Sequence, residues 1–391
     1  MHTDYSETLP LTSHSLWASG KVLVTHLDME LTERCNFHCC HCYIRRQKND
    51  ADVPKKEMRL EEIQRILSEA AALGCLTVRF TGGEPLLRED FPDIYLFARK
   101  LGIRVMVFTN ASLITPDLVK LFRRIPPMEK IEVSVYGMSD VSYNSVTRTM
   151  HSFADAFRGM NLLLEAGIPF VVKTTLLPQN REDLETFRRW SKTIPWMASD
   201  LPVNLFLHLS GRHDDSEKMS AAISKLRLTS DDILRFTLEN HPEWREEMKH
   251  YMAAFAIPPI SKLFTCSGDR SVSVDAYGNY QFCLMLRHPE TVMHYSTISL
   301  REAVENFFPA LYQKTASSAD FLKRCGKCFI RSICEQCPAK SYTEYGVLDR
   351  PVDYYCNIAH VQAGYLGLLG SNEKAWNVTD GPERLRRFTQ S

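Results

Sequence analysis

Neither sign of charge predominates in this sequence: 391 residues carry 47 Lys plus Arg against 47 Asp plus Glu, and no segment concentrates the cations. The basic footprint that nucleic-acid binding needs is therefore missing. Long apolar runs are missing too. The stretch Val361–Gly370 is too short and too rich in glycine to span a bilayer. Met1 to Leu9 is polar and acidic, without the basic and then apolar succession of a secretory signal. These absences set the expectation of a cytoplasmic protein with neither nucleic acid nor membrane among its partners. No internal repeat or low-complexity tract is visible. Cysteine, by contrast, is plentiful. Twelve cysteines in a chain of cytosolic character argue for metal or redox chemistry rather than disulfides. They are grouped: four lie between residues 35 and 42, seven between 266 and 356, and Cys75 stands alone.

Residues 23–210 alternate strand-like and helix-like segments. Leu23–Leu31, Leu76–Thr81, Arg104–Thr109, Lys130–Val135, Phe170–Leu176 and Val203–Leu209 are apolar and often β-branched, as buried parallel strands are. Helical patterns fall between them at Leu60–Leu73, Phe91–Lys100, Pro116–Arg124, Phe153–Glu165 and Arg181–Lys192, with Thr115 and Ser152 as N-caps and Gly74, Gly102 and Gly167 as stops. Six such units predict an α/β fold: a partial, six-unit β/α barrel with its active site at the C-terminal strand ends. Residues 1–22 are an N-terminal extension, 211–260 a charged helical bridge, and 261–391 a small, loop-rich, cysteine-rich domain with a hairpin signal at Asp275–Asn279.

Two motifs sit at strand ends. Cys35-x3-Cys39-x2-Cys42 follows the first strand and offers three thiolates at close spacing, one short of the four that hold a four-iron cluster, so one iron is left for a small molecule. A zinc knuckle completed by His38 or His41 is the alternative on the triplet alone. Gly82-Gly83-Glu84-Pro85 follows the second strand, where paired glycines let backbone approach a ligand or simply make a turn. Together the motifs resemble the radical S-adenosylmethionine superfamily over residues 23–210. The resemblance implies that the methionine end of S-adenosylmethionine chelates the open iron. An electron from the cluster then breaks a carbon–sulfur bond, and a 5′-deoxyadenosyl radical takes a substrate hydrogen. It also implies roles for single residues. His41 lies near the adenine, and Tyr43 completes a Cys-His-Cys-Tyr ending like that of peptide-modifying members. Gly82, Gly83 and Glu84, with Thr81 before them, hold the methionine amine. Ser134 stands near the ribose, Asn110 has a weaker role toward the cofactor, and Arg148 meets the carboxylate.

The C-terminal cysteines read Cys266-x11-Gly278-x4-Cys283, then Cys325-x2-Cys328-x5-Cys334-x2-Cys337, then Cys356. Seven are one short of two complete four-cysteine sites; paired structural zinc sites are the alternative. This spacing is similar to the SPASM extension of radical S-adenosylmethionine enzymes. By that resemblance Cys325, Cys328, Cys334 and Cys356 hold a distal cluster. Cys266, Cys283 and Cys337 hold a proximal one, with Asp269, Asp275, solvent or substrate in the remaining position. Three four-iron clusters and S-adenosylmethionine are then the implied cofactors. Cys75 reads as a core thiol. The resemblance implies a peptide or small-protein substrate and an electron donor such as flavodoxin or ferredoxin. Because only about 22 residues precede the first strand on this reading, leader recognition is expected either to fall to a separate protein or not to be used. Leu284 stands where sulfatase-maturing members carry an aspartate, which argues against that branch. A small-molecule dehydrogenase or carbon-skeleton enzyme and a non-enzymatic electron carrier are the other readings.

Overall fold

The alternation in the first strand decides the layering. In β1 (His26–Thr32), Leu27, Met29 and Leu31 are buried on one face while His26 and Asp28 are half-buried on the other. A period of two is what a strand shows when helices cover one side and a lumen lies on the other. The computed structural model describes residues 24–44, 46–197, 203–209, 217–254, 261–265 and 271–390. The expected N-terminal extension, Cys266 and Asp269 lie outside these.

Parallel strands β1, β2 (Thr77–Gly82), β3 (Arg104–Thr109), β4 (Ile131–Ser134), β5 (Phe170–Thr175) and β6 (Val203–Asn204) follow one another in the sheet as in the chain. Between them run α1 (Leu60–Ala72), α2 (Phe91–Lys100), α3 (Pro116–Arg124), α4 (Asp140–Thr147), α5 (Ser152–Glu165) and α6 (Leu184–Ser191). Their apolar faces, such as Ile63, Ile66, Leu67 and Ala70 of α1, are buried in one core with the strands. The Thr115 hydroxyl caps α3 by accepting from the Leu118 N–H at 3.3 Å. The N-cap of α5 is His151 at φ 62°, one residue before the expected Ser152.

The C-terminal segment continues this sheet rather than standing beside it. β7 (Ser271–Val274) pairs in parallel with the free edge of β1 and turns into β8 (Asn279–Gln281) and β9 (Val292–His294), giving the open order β9-β8-β7-β1-β2-β3-β4-β5-β6. Asp275 makes that turn. Its carboxylate accepts from the N–H groups of Tyr277 and Asn279 at 3.0 and 2.9 Å and from the side-chain amides of Asn279 and Gln281 at 2.9 and 3.3 Å. A carboxylate so engaged is a turn bracket, which removes it as a candidate for the remaining cluster position. The region is also less loop-rich than its composition suggests. The bridge helices α7 (Glu217–Ser224), α8 (Ser230–Asn240) and α9 (Trp244–Ala254) are followed by α10 (Pro338–Tyr345), α11 (Asp353–Tyr365) and α12 (Gly381–Gln390). Trp244 and Met252 of α9 share a second core with Ala359, Ala363 and Phe388 of the last two helices. Among the described residues, no helix is long and apolar enough to cross a membrane.

Candidate active site

The loop that leaves β1 is held from two sides. On one, the N–H groups of His38 and Cys40 donate to the carbonyls of Thr147 and Val146 at the C-terminus of α4, at 2.8 and 2.9 Å. On the other, Gly83 N–H donates to Thr32 O at 2.8 Å and Glu84 N–H to Arg34 O at 2.9 Å. This second contact explains the paired glycines. Gly82 sits at φ +129°, and a Cβ on it would lie 2.1 Å from Thr32 O. A Cβ on Gly83 would lie 2.2 Å from Arg34 O. Any side chain here would push the glycine segment and the cysteine loop apart.

Glu84 is fully buried and brackets the next strand: its carboxylate accepts from the Thr109 hydroxyl and the Asn110 N–H, both at 2.8 Å, and from Leu86 N–H at 3.1 Å. Burial pushes its pKa up to about 7 against those donors. Asn110 passes the connection back to the loop, donating to Asn36 Oδ1 at 3.0 Å and accepting from the Ser112 N–H and hydroxyl, while Asn36 Nδ2 donates to Ser112 Oγ at 2.8 Å. Asn36 and Ser112 were not singled out from sequence. Both are short polar residues directly after a strand end, the one signal that would have drawn notice.

Within the loop, burial and then the Glu84 carboxylate push the Cys35 thiol up. Burial and the neighbouring Cys35 and Cys42 do the same to Cys39. The two adjacent cysteines part company: Cys39 belongs to the barrel core, whereas Cys40 packs with Val146, Leu177, Leu207, Leu209 and Ile223. Burial lowers His41 to about 4, so its ring is neutral, and its buried Nδ1 has no hydrogen-bond partner among the described residues. The ring meets Tyr136 edge-on at 5.0 Å between centroids. Tyr136 was also unremarked in the sequence, although it lies two residues after Ser134. Ser134 closes β4 beside Lys173 of β5, and Thr81 is buried opposite Glu30 of β1. Burial raises Tyr43, and the Glu30 carboxylate adds to that shift. Arg148 is exposed at φ 52° at the end of α4. The structure brings it beside His38, Arg46 and Lys218, in a groove that Gly82, Gly83, Asn110 and Ser134 do not line.

Under this loop lies a buried ion cluster joining the two halves of the chain. Arg287 donates to both oxygens of Glu30 at 2.7 Å and to Glu33 at 2.9 Å, and Tyr277 OH donates to Glu33 at 2.8 Å. Glu30 and Glu33 are wholly buried.

Further along, Cys325, Cys328, Cys334, Cys337 and Cys356 line one cavity. Burial and then Cys356 push Cys325 up to about 11. Burial pushes Cys328 up to about 12, with Cys356 and Cys325 adding, and Cys334 rises from burial and the same neighbours. Cys337 stands at the N-terminus of α10 on the cavity wall. Cys283 is exposed, Cys75 is buried, and none of the described cysteines is disulfide-bonded. Among the described residues, no three His, Cys, Asp or Glu side chains are drawn around a single ion-sized point. The thiols are grouped by loop and by cavity.

The donor set at the first loop fits an iron–sulfur cluster: grouped thiols held protonated by burial and by one another are stabilised as thiolates once positive irons bind. The glycine cradle and the unpartnered His41 Nδ1 fit a nucleoside-bearing ligand beside them. Comparison with known proteins accords with this. Residues 29–191 match the radical SAM superfamily. The chain is 25% identical over 335 residues to the AdoMet-dependent heme synthase of Methanosarcina barkeri strain Fusaro, covering 81% of this chain and 92% of that protein. In fold it is similar to SuiB of Streptococcus suis bound to precursor peptide SuiA, with TM-score 0.60 and 16% identity over 86% of this chain and 76% of that one. It is likewise similar to anSMEcpe with bound AdoMet and Cp18Cys peptide, with TM-score 0.59 and 15% identity over 93% of this chain and 99% of that one. The strand-end cysteine triplet, the glycine cradle and the matched barrel together make residues 29–191 the radical SAM domain of an enzyme.

Proposed function

We propose that the chain cleaves S-adenosylmethionine at Cys35, Cys39 and Cys42 and abstracts hydrogen from a peptide or small protein, using two auxiliary clusters in a SPASM region. When bound, the first cluster supplies the electron for that cleavage. The protein holds and orients. Backbone at Gly82 and Gly83 takes the methionine amine, and Glu84 fixes that backbone to β3. His41 and Tyr136 flank the adenine. Tyr43, Thr81, Asn110 and Ser134 complete the wall, and the covered loop excludes water. In this reading residues 23–210 are the catalytic barrel, 211–260 the bridge and 261–391 the auxiliary region. Cys325, Cys328, Cys334 and Cys356 hold the distal cluster, and Cys266, Cys283 and Cys337 the proximal one.

The observation that carries this reading is the convergence of Cys325, Cys328, Cys334 and Cys356 on one cavity, with Cys337 on its wall, in a segment that shares the barrel's sheet. The two structural relatives bound to peptides support the substrate class. A second reading, tetrapyrrole chemistry, is favoured by the two Methanosarcina barkeri sequence relatives, a heme synthase and an Fe-coproporphyrin III synthase. Anaerobic reconstitution with S-adenosylmethionine and a reductant separates them, with cysteine- or aromatic-containing peptides offered in one arm and iron-coproporphyrin III in the other. The proposal expects a mass change in a peptide. A mass change confined to the tetrapyrrole contradicts it.

A further inference from the structure

Two side chains meet one thiol of the C-terminal cavity. His360 lies one turn after Cys356 on α11, and its Nδ1 is 2.8 Å from Cys356 O and 3.6 Å from Cys356 Sγ. A carbonyl only accepts, so Nδ1 carries the proton. Nε2 takes the Ala375 N–H at 3.2 Å, which fixes the same tautomer from the other side of the ring. The Nδ1–H is therefore shared between the carbonyl and the sulfur. Arg324, next to Cys325, is the second donor to the Cys356 sulfur. Its guanidinium is held by Asp353 at 2.6 Å and by Asp320 at 3.5 Å. The Trp376 ring backs both donors: the Arg324 guanidinium carbon lies 4.9 Å and the His360 ring centre 5.1 Å from its centroid.

The neighbouring thiols are met differently. Cys328 and Cys334 receive backbone N–H groups, of Ile330 and Gln336. Arg331, also on the cavity wall, donates to Lys262 O at 3.2 Å. Thiols grouped on one cavity wall fit a four-iron cluster. Reduction of such a cluster adds one negative charge. An N–H aimed at a ligand sulfur and a guanidinium beside it both favour the reduced form, and so raise the potential.

We propose that Arg324 and His360 are positioning residues of the distal cluster, acting through the Cys356 sulfur to raise its reduction potential and make it a better electron acceptor. The proposal rests on the distal cluster of the function proposed above.

The test uses the full-length, cluster-loaded chain with Cys35→Ala/Cys39→Ala/Cys42→Ala as background, so that only C-terminal clusters are read. The distal signal is the one that Cys328→Ala with Cys334→Ala removes. Redox titration followed by electron paramagnetic resonance compares the background with His360→Leu, His360→Asn and Arg324→Met. His360→Leu and Arg324→Met are each expected to shift the distal reduction equilibrium about tenfold toward the oxidised form, about 59 mV negative for a one-electron couple. Iron content should match the background, and the other C-terminal signal should stay in place. His360→Asn keeps an N–H near the sulfur and should recover part of the shift. Four results overturn the proposal: an unmoved distal potential in either variant, an equal shift of both C-terminal signals, His360→Asn shifted as far as His360→Leu, or loss of about four irons, which would make the contacts purely structural. A background chain that holds zinc and gives no reducible C-terminal signal refutes the cluster reading itself, a result distinct from all four.

Discussion

Replacing Arg287 with Met leaves two wholly buried carboxylates, Glu30 and Glu33, facing each other without their shared cation. The guanidinium is itself only 7% exposed, so solvent does little to screen its loss. Removing one partner of a buried ion pair costs about 3–5 kcal/mol, chiefly the penalty of an uncompensated charge. With a urea dependence of about 3 kcal/mol per molar, the unfolding midpoint should drop by about 1–1.7 M. The loss should grow with pH. Burial already raises Glu30 to about 7; Arg287 works against that shift, while Glu33 and Asp275 add to it. Without Arg287 the folded-state pKa climbs further above its ordinary value. The folded state then binds more protons than the unfolded one, and stability falls as pH rises through that window. The assay is anaerobic urea unfolding of Arg287→Met at about pH 6 and about pH 8. Glu30→Gln in the same background, which removes one stranded charge, should recover part of the loss. An Arg287→Met protein within about 1 kcal/mol of wild type at the higher pH, or one more stable there than at the lower pH, refutes this account of the cluster.

Gly83→Ala should force a Cβ onto Arg34 O and displace the cysteine loop. Iron analysis should then show loss of the first cluster, about four irons, with the C-terminal chromophore retained; a full iron complement contradicts the close-approach argument. For Asp28, burial works to raise the pKa, but the hydrogen bond from His26 and the Arg79 guanidinium prevail and hold it below its usual value. Its stabilisation is present at neutral pH and lost as pH falls through that depressed value, so Asp28→Asn should lack this component of the acid-unfolding curve. Anaerobically purified wild-type protein should hold roughly twelve irons with matching acid-labile sulfide, and Cys328→Ala with Cys334→Ala should remove about a third of them. Zinc in place of iron would restore the structural-zinc alternative.

Much of the barrel was legible because its signals are local. Phe91–Lys100 and Pro116–Arg124 are bounded in the structure as their apolar spacing and flanking residues suggest. Helix α4 was not foreseen. Asp-Val-Ser-Tyr-Asn-Ser-Val-Thr is poor in helix formers, and what holds it is a Ser139 N-cap together with burial of Tyr143 and Val146. The last barrel strand was expected to run from Val203 to Leu209 and stops at Asn204, whose side chain accepts from Phe206 N–H and donates to Phe206 O, turning the backbone away from the ladder. In the site, the cysteines and glycines were legible because cluster binding and close backbone contact restrict residue type. Their supports were not. Arg287 and Glu30 lie 257 positions apart and Asn36 and Ser112 lie 76 apart; contacts at such separations leave no periodicity in the sequence. The continuation of the sheet into β7 was hidden for the same reason, since Ser271–Val274 is four residues long and finds its register only against β1.

The central claim is that the loop bearing Cys35, Cys39 and Cys42 is where S-adenosylmethionine is cleaved. The direct measurement is 5′-deoxyadenosine formed from S-adenosylmethionine and dithionite under anaerobic conditions, comparing wild type with Cys35→Ala/Cys39→Ala/Cys42→Ala after both have been reconstituted with iron and sulfide. The account predicts product from wild type and none from the triple variant, which keeps its C-terminal chromophore. Product from the triple variant would contradict it.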